Sequence, residues 1–178
     1  MWETTQMSEV NELAYFATGC FWGAERRFWQ IPGVLKTTVG YMGGRRENPT
    51  YEQVCAGATG HTETVQVLFD PKVVSYHRLL VEFWTMHDPT SLNRQGNDIG
   101  TQYRSAIFTT NQSQVDQAHA TKSLYQEALS RWGLGRLLLK LIADQIIPIG
   151  WLRSITRDIL RKTLMDMIAI PVQELHSR

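Results

Sequence analysis

The stretch LAYFATGCFWGAERRFWQ, residues 13–30, decides how the chain is read. Leu13 to Thr18 is a short, unbroken apolar run, the pattern of a buried strand. Gly19 interrupts it. From Phe21 to Gln30, Phe21, Trp22, Glu25, Phe28 and Trp29 recur at helical spacing, which predicts a helix starting near Cys20. Pro32 and Gly33 stop it. Cys20 therefore lies where a strand hands over to a helix.

Working outward, Val34 to Tyr41 reads as a strand closed by Gly43-Gly44. Asn48-Pro49-Thr50 is a turn suited to cap a short helix from Tyr51 to Cys55. Thr62 to Phe69 alternates cleanly, with Val65, Val67 and Phe69 on one face and Glu63 on that same face. Ser75 to His87 is an amphipathic helix capped by Ser75. Arg94 to Gln102 reads as a polar, glycine-rich loop with nothing to pack. Tyr103 to Thr109 is a strand and Ser113 to Leu129 a helix. The order predicts an α+β fold: a two-layer sandwich with a ferredoxin-like β-α-β-β-α-β core, a mixed sheet and added elements.

At 43% hydrophobic and 20% charged, 178 residues are enough for an ordinary core, which excludes a disordered or fibrous chain. A net charge of +1 gives no general field for nucleic acid or membrane. Two cysteines are too few for a disulfide framework and point to a reducing cytoplasm. Met1 to Val10 is polar, so no secretory signal is expected. Leu137 to Ile149, broken by Lys140 and Asp144, is too short to span a bilayer. A monomer without nucleic-acid or membrane partners is the expectation.

Three features bear on chemistry. A helix N-terminus offers unpaired N–H groups and a positive dipole end, which lower a thiol pKa. Cys20 stands at such an end, with Phe21 and Trp22 providing aromatic faces for a methyl or thioether; the alternative is an inert core cysteine. Glu63, inward-facing among valines, should have a raised pKa and suit a general acid; the alternative is a carboxylate at the sheet edge. The polar loop 94–103 is either a site-bearing loop or a plain connector. The five histidines show no metal-ligand spacing, so no metal is expected.

Taken together, GCFWG at 19–23, NPTYEQVC at 48–55, GHTETV at 60–65, FWTMHDPT at 83–90 and RQGNDIGTQYRSAIF at 94–108 resemble the peptide methionine sulfoxide reductase A family. The resemblance runs from about Leu13 to Leu134. It implies thiol-dependent reduction of methionine S-sulfoxide, free or in oxidised proteins and peptides. Cys20 would be the nucleophile and Glu63 the acid. Phe21 and Trp22 would hold the substrate methyl, Tyr51 and Tyr103 would hydrogen-bond the sulfoxide oxygen, and Asp98 would support the site through its loop. It implies no cofactor, only an external reductant, thioredoxin or another thiol. Cys55 matches a cysteine present in some members and is not a nucleophile there.

The likeness stops after Gly135. Residues 133–178 hold one of the 18 aromatics, yet 17 of the chain's Leu and Ile against 11 before them. The sequence thus divides into a catalytic domain, 1–135, and an atypical tail, 136–178. A shifted reading frame accounts for the break: with chosen synonymous codons, Pro148 to Arg157 read one base out of frame encode YWVAEEYHQ, part of the family pattern. The tail as written carries neither the resolving cysteine nor the Tyr-His segment of the family, so the alternative function is a non-catalytic or inactive member.

Overall fold

The computed structural model describes residues 11–138 and 140–142. Strand β1 (Glu12–Thr18) leads through Gly19 into helix α1 (Phe21–Trp29). Strand β2 (Val34–Met42), helix α2 (Tyr51–Cys55), strand β3 (Thr62–Phe69) and helix α3 (Tyr76–Met86) follow. Strands β4 (Arg94–Gln95) and β5 (Asp98–Ile99) form a small hairpin before a 3₁₀ turn at Thr101–Tyr103. Strand β6 (Ser105–Phe108), helix α4 (Gln112–Arg131) and strand β7 (Lys140–Ile142) complete the order.

The main sheet has the order β2-β3-β1-β6-β7. Neighbours among its first four strands pair antiparallel, and β7 joins β6 in parallel. The strands of the β-α-β-β-α-β unit, β1, β2, β3 and β6, take the ferredoxin-like arrangement, with a parallel strand added at one edge. The α+β expectation therefore holds, mixed sheet included.

Strand alternation sorts the sheet's two faces. Phe16, Val39, Val67 and Ile107 meet Phe28 of α1, Leu79, Leu80 and Phe83 of α3 and Ala118 of α4 in the larger core. Tyr15, Ala17, Met42, Ala106 and Phe108 form a smaller cluster on the other face. Each fully buried Leu or Phe contributes roughly 1.5–3 kcal/mol. Phe16 stacks on Phe28 with centroids 4.9 Å apart, fixing α1 against β1 and so the position of Cys20.

Local chemistry explains the helix starts. Thr50 and Gln53 form a reciprocal capping box on α2. The side chain of Ser75 accepts from the Arg78 N–H at the start of α3, and that of Asn111 from the Gln114 N–H at the start of α4.

Three sequence expectations change. The buried stripe of α1 is Phe21, Ala24, Glu25 and Phe28, whereas Trp22 and Trp29 are each 39% exposed. The segment 94–102 is more than a loop. Gln95 packs so tightly on Gly19 that a Cβ there would lie 2.6 Å from Cβ of Gln95, and Gln102 is buried. The strand expected from Tyr103 begins at Ser105, because residues 101–103 turn as 3₁₀. Beyond Gly135, Leu137 is buried in the main core, its N–H donating to Oε1 of Gln126 at 2.8 Å.

Candidate active site

The site forms at the end of β1, where Gly19 turns with φ +100° into α1. Only glycine adopts that φ without strain, and the close approach of Gln95 leaves no room for a side chain. Cys20 is the N-cap of α1 and half-buried. The backbone N–H groups of Trp22 and Gly23 donate toward its sulfur and favour the thiolate. They do not prevail: burial is the larger influence, Glu63 and Asp98 add negative charge, and the thiol pKa is raised. The helix end acts as the sequence suggested, but desolvation outweighs it.

Glu63 is the second residue of β3 and is 5% exposed. Its Oε2 accepts the Phe21 N–H at 2.9 Å. Burial first, and the charge of Asp98 second, push its pKa up to about 7 against the lowering effect of that N–H. The raised acid expected from strand alternation is present. A protonated Glu63 removes one of the two charges opposing the Cys20 thiolate, so the two groups favour a neutral acid beside an anionic sulfur.

Phe21 and Trp22 meet edge to face with centroids 5.0 Å apart. Phe21 is 3% exposed and Trp22 39%. Phe21 thus backs the site, and the indole is the accessible surface. Tyr51, the first residue of α2, is exposed and hydrogen-bonded to the Cys55 sulfur, which raises its pKa. Tyr103 ends the 3₁₀ turn, and its pKa is raised by burial and then by Glu63 and Asp98. Asp98 sits on the exposed β5, and its charge reaches both Cys20 and Glu63. All seven expected side chains therefore converge.

Two further residues join them: Cys55, which the resemblance matched without giving it a role, and Tyr41, which the sequence reading missed. Cys55, at the end of α2, lies close enough to affect Tyr41, Tyr51 and Tyr103. Tyr41 is the register partner of Glu63 across β2 and β3. Tyr41 is two residues from Val39 in β2 and shares its face, but nothing local indicates its partner. Among the described residues no cluster of three His, Cys, Asp or Glu side chains could hold a metal ion, and no helix is long and apolar enough to cross a membrane.

The family model for peptide methionine sulfoxide reductase matches residues 12–132, a span that includes every one of these side chains. The chain belongs to that family. The peptide methionine sulfoxide reductase MsrA of Pseudomonas entomophila is 57% identical over 126 residues, 71% of this chain. The chain spans 57% of the length of that relative. Methionine sulfoxide reductase A of Corynebacterium diphtheriae superposes with a TM-score of 0.74 at 43% identity, covering 80% of this chain and 69% of that one. Reduced Mxr1 of Saccharomyces cerevisiae does so with a TM-score of 0.66 at 32% identity, covering 74% and 75%. The yeast protein has also been solved in complex with Trx2. The family match ends at residue 132.

Proposed function

We propose that this chain reduces methionine S-sulfoxide, free or in oxidised proteins, to methionine through a sulfenic acid on Cys20. The observation that carries this reading is the bond from the Phe21 N–H to Glu63. It fastens a carboxyl with pKa about 7 beside the residue that follows Cys20.

A sulfoxide sulfur becomes electrophilic when its oxygen takes a proton. Trp22, backed by Phe21, holds the substrate methyl. Glu63 gives its proton to the oxygen while Tyr51 and Tyr103 donate hydrogen bonds to it. The Cys20 thiolate attacks the sulfur, forming an S–S bond, and the protonated oxygen then passes from the substrate sulfur to the Cys20 sulfur as the S–O and S–S bonds break and the thioether leaves. Overall, thiol and sulfoxide become sulfenic acid and thioether: the substrate sulfur gains the two electrons that Cys20 loses, and the oxygen ends on Cys20. A second thiol then condenses with the sulfenic acid, releasing water and leaving a disulfide. A dithiol such as thioredoxin returns Cys20 to the thiol by exchange; the complex of yeast Mxr1 with Trx2 supports a reductant of that kind. We place the protein in the cytoplasm as a monomer, without a bound cofactor.

One observation favours a second reading, a member that binds without cycling. Residues 133–178 lie outside the family match and contain no cysteine. A frame shift near Gly135 is our account of that segment.

The test is turnover on both sulfoxide epimers by wild type and Cys20→Ser. The wild type should release methionine from the S-epimer alone, and Cys20→Ser should release none. Retained turnover in Cys20→Ser would remove Cys20 from the role. Cys55→Ser should change the reductive step little, since Cys55 ends a helix rather than opening one.

A further inference from the structure

We propose that the Tyr41 hydroxyl is a third phenolic donor to the sulfoxide oxygen, beside those of Tyr51 and Tyr103. The inference deepens the reductase reading and rests on it for the identity of the oxygen.

Tyr41 is 4% exposed, and its hydroxyl has no hydrogen-bond partner among the described residues. Burying a phenol hydroxyl unpaired is destabilising, and a Phe would fill the same space without that penalty. The orphan donor lies in the site. Tyr41 stands opposite Glu63 in the ladder, with its ring tilted against Phe21 at 5.9 Å between centroids. Burial first, and then the charges of Glu63, Cys55, Tyr51 and Tyr103, push its ionisation upward. The hydroxyl therefore keeps a proton to donate, and the groups that would meet the substrate lie around it.

Tyr76 offers an internal contrast. Its hydroxyl is also buried without a partner, on α3 against Phe16, yet burial alone raises its pKa. No charge of the site reaches it.

The backbone around Tyr41 is held in place. The Gly44 N–H donates to Nδ1 of His61 at 3.3 Å, and Nε2 of His61 donates to the Arg46 carbonyl at 2.7 Å. His61 is 1% exposed. This clamp ties the segment after β2 to the start of β3 and so holds the backbone next to Tyr41. A sulfoxide oxygen gains negative charge as its bond to sulfur breaks and can accept several donors at once. A fixed, unpaired donor beside it is the arrangement that stabilises such charge.

The test uses the Cys20→Ser chain, which should bind without reacting, with methyl p-tolyl sulfoxide and its sulfide as paired probes. The two ligands differ only by the oxygen, so the ratio of their dissociation constants reads the oxygen contacts. Adding Tyr41→Phe should shrink that ratio roughly fivefold, the value of one hydrogen bond. Sulfide binding should stay the same, and the melting temperature should hold or rise because an orphan hydroxyl has gone. An unchanged ratio overturns the proposal. So does a smaller ratio accompanied by weaker sulfide binding and a lower melting temperature, which would make the hydroxyl a support of the fold. The measurement is independent of turnover. A wild-type chain that releases no thioether refutes the reductase reading, whereas a Cys20→Ser chain that binds sulfoxide no better than sulfide refutes the oxygen subsite, Tyr41 with it.

Discussion

The Phe21 backbone N–H donates to Oε2 of Glu63 at 2.9 Å, so the first free amide of α1 is taken by a carboxyl and not by the Cys20 sulfur. The thiol is left with the N–H groups of Trp22 and Gly23. One helix end thus binds a carboxyl and a thiol together, and the charge of each depends on the proton of the other.

Replacing that acid separates catalysis from stability. A Glu63→Gln chain keeps an oxygen for the Phe21 N–H but has no proton to give. Its reductive step should slow by roughly 10²-fold or more. In the wild type the same step should decline above pH 7, as Glu63 ionises. Stability falls with rising pH as well. The carboxyl titrates near 4.5 when unfolded and about 7 when folded. Between these values the unfolded chain releases a proton that the folded chain keeps, so stability falls as pH rises. Above pH 7 the penalty reaches up to roughly 3 kcal/mol. Glu63→Gln should therefore melt higher than wild type above pH 7 and match it below 4.5. A variant with wild-type rate would leave Glu63 a purely structural part.

His87 opposes this over nearly the same range. Its Nδ1–H donates to the Phe83 carbonyl at 2.8 Å, and its Nε2 accepts from the Ser105 hydroxyl at 2.8 Å. Burial lowers its pKa from 6.5 to about 4. Here the unfolded chain takes a proton first as pH falls, so the stability present above 6.5 is lost as pH falls through 4. In the wild type the Glu63 gain partly cancels this loss. Glu63→Gln should unmask it, giving a steady fall in melting temperature from pH 6.5 to 4. Calorimetry across that range is the measurement. A histidine ring titrating near 6.5 in the NMR spectrum of the folded protein, once assigned to His87, would contradict the account.

What could be read in the sequence followed the range of the interactions. The β1–Gly19–α1 unit and the inward face of β3 are local, so periodicity located Cys20 and Glu63. The sheet order and the Tyr41–Glu63 register are not local: α2 and two loops separate the partners, and no alternation within either strand sets their pairing. The hairpin of β4 and β5 has strands of two residues, too short to show a period. Its ordering comes from Gln95 packing on Gly19, a contact between distant segments. The family resemblance supplied Asp98, Tyr51 and Tyr103, whose roles periodicity does not reveal. Composition marked a break near Gly135, yet the described part of the segment beyond it packs. The Leu138 N–H donates to the Pro89 carbonyl at 3.0 Å, and Lys140–Ile142 runs parallel to β6. Backbone pairing of this kind asks little of side-chain identity, so a changed reading frame does not forbid it.

The recycling step is where the composition of this chain should show most clearly. In the proposed mechanism, reduction of the sulfoxide needs Cys20 and the groups around it, all within residues 12–132, the span that the family model matches. Renewal of Cys20 needs a second thiol, and the only other one in the sequence is Cys55, exposed and hydrogen-bonded to Tyr51. Attack on a sulfenic acid requires a thiolate that can reach the sulfur, and Cys55, at the end of α2, is engaged by the Tyr51 hydroxyl. With thioredoxin alone, a stoichiometric release of about one methionine per chain is expected, followed by stalling at the sulfenic acid. A small thiol such as glutathione, able to enter beside the exposed indole of Trp22, should restore cycling. The measurement pairs single-turnover methionine release with multiple-turnover rates under each reductant, for this chain and for one with the frame restored after Gly135. The restored chain should cycle on thioredoxin. Efficient thioredoxin-driven cycling by the chain as written, abolished by Cys55→Ser, would show instead that Cys55 resolves Cys20 and that residues 136–178 need supply no thiol.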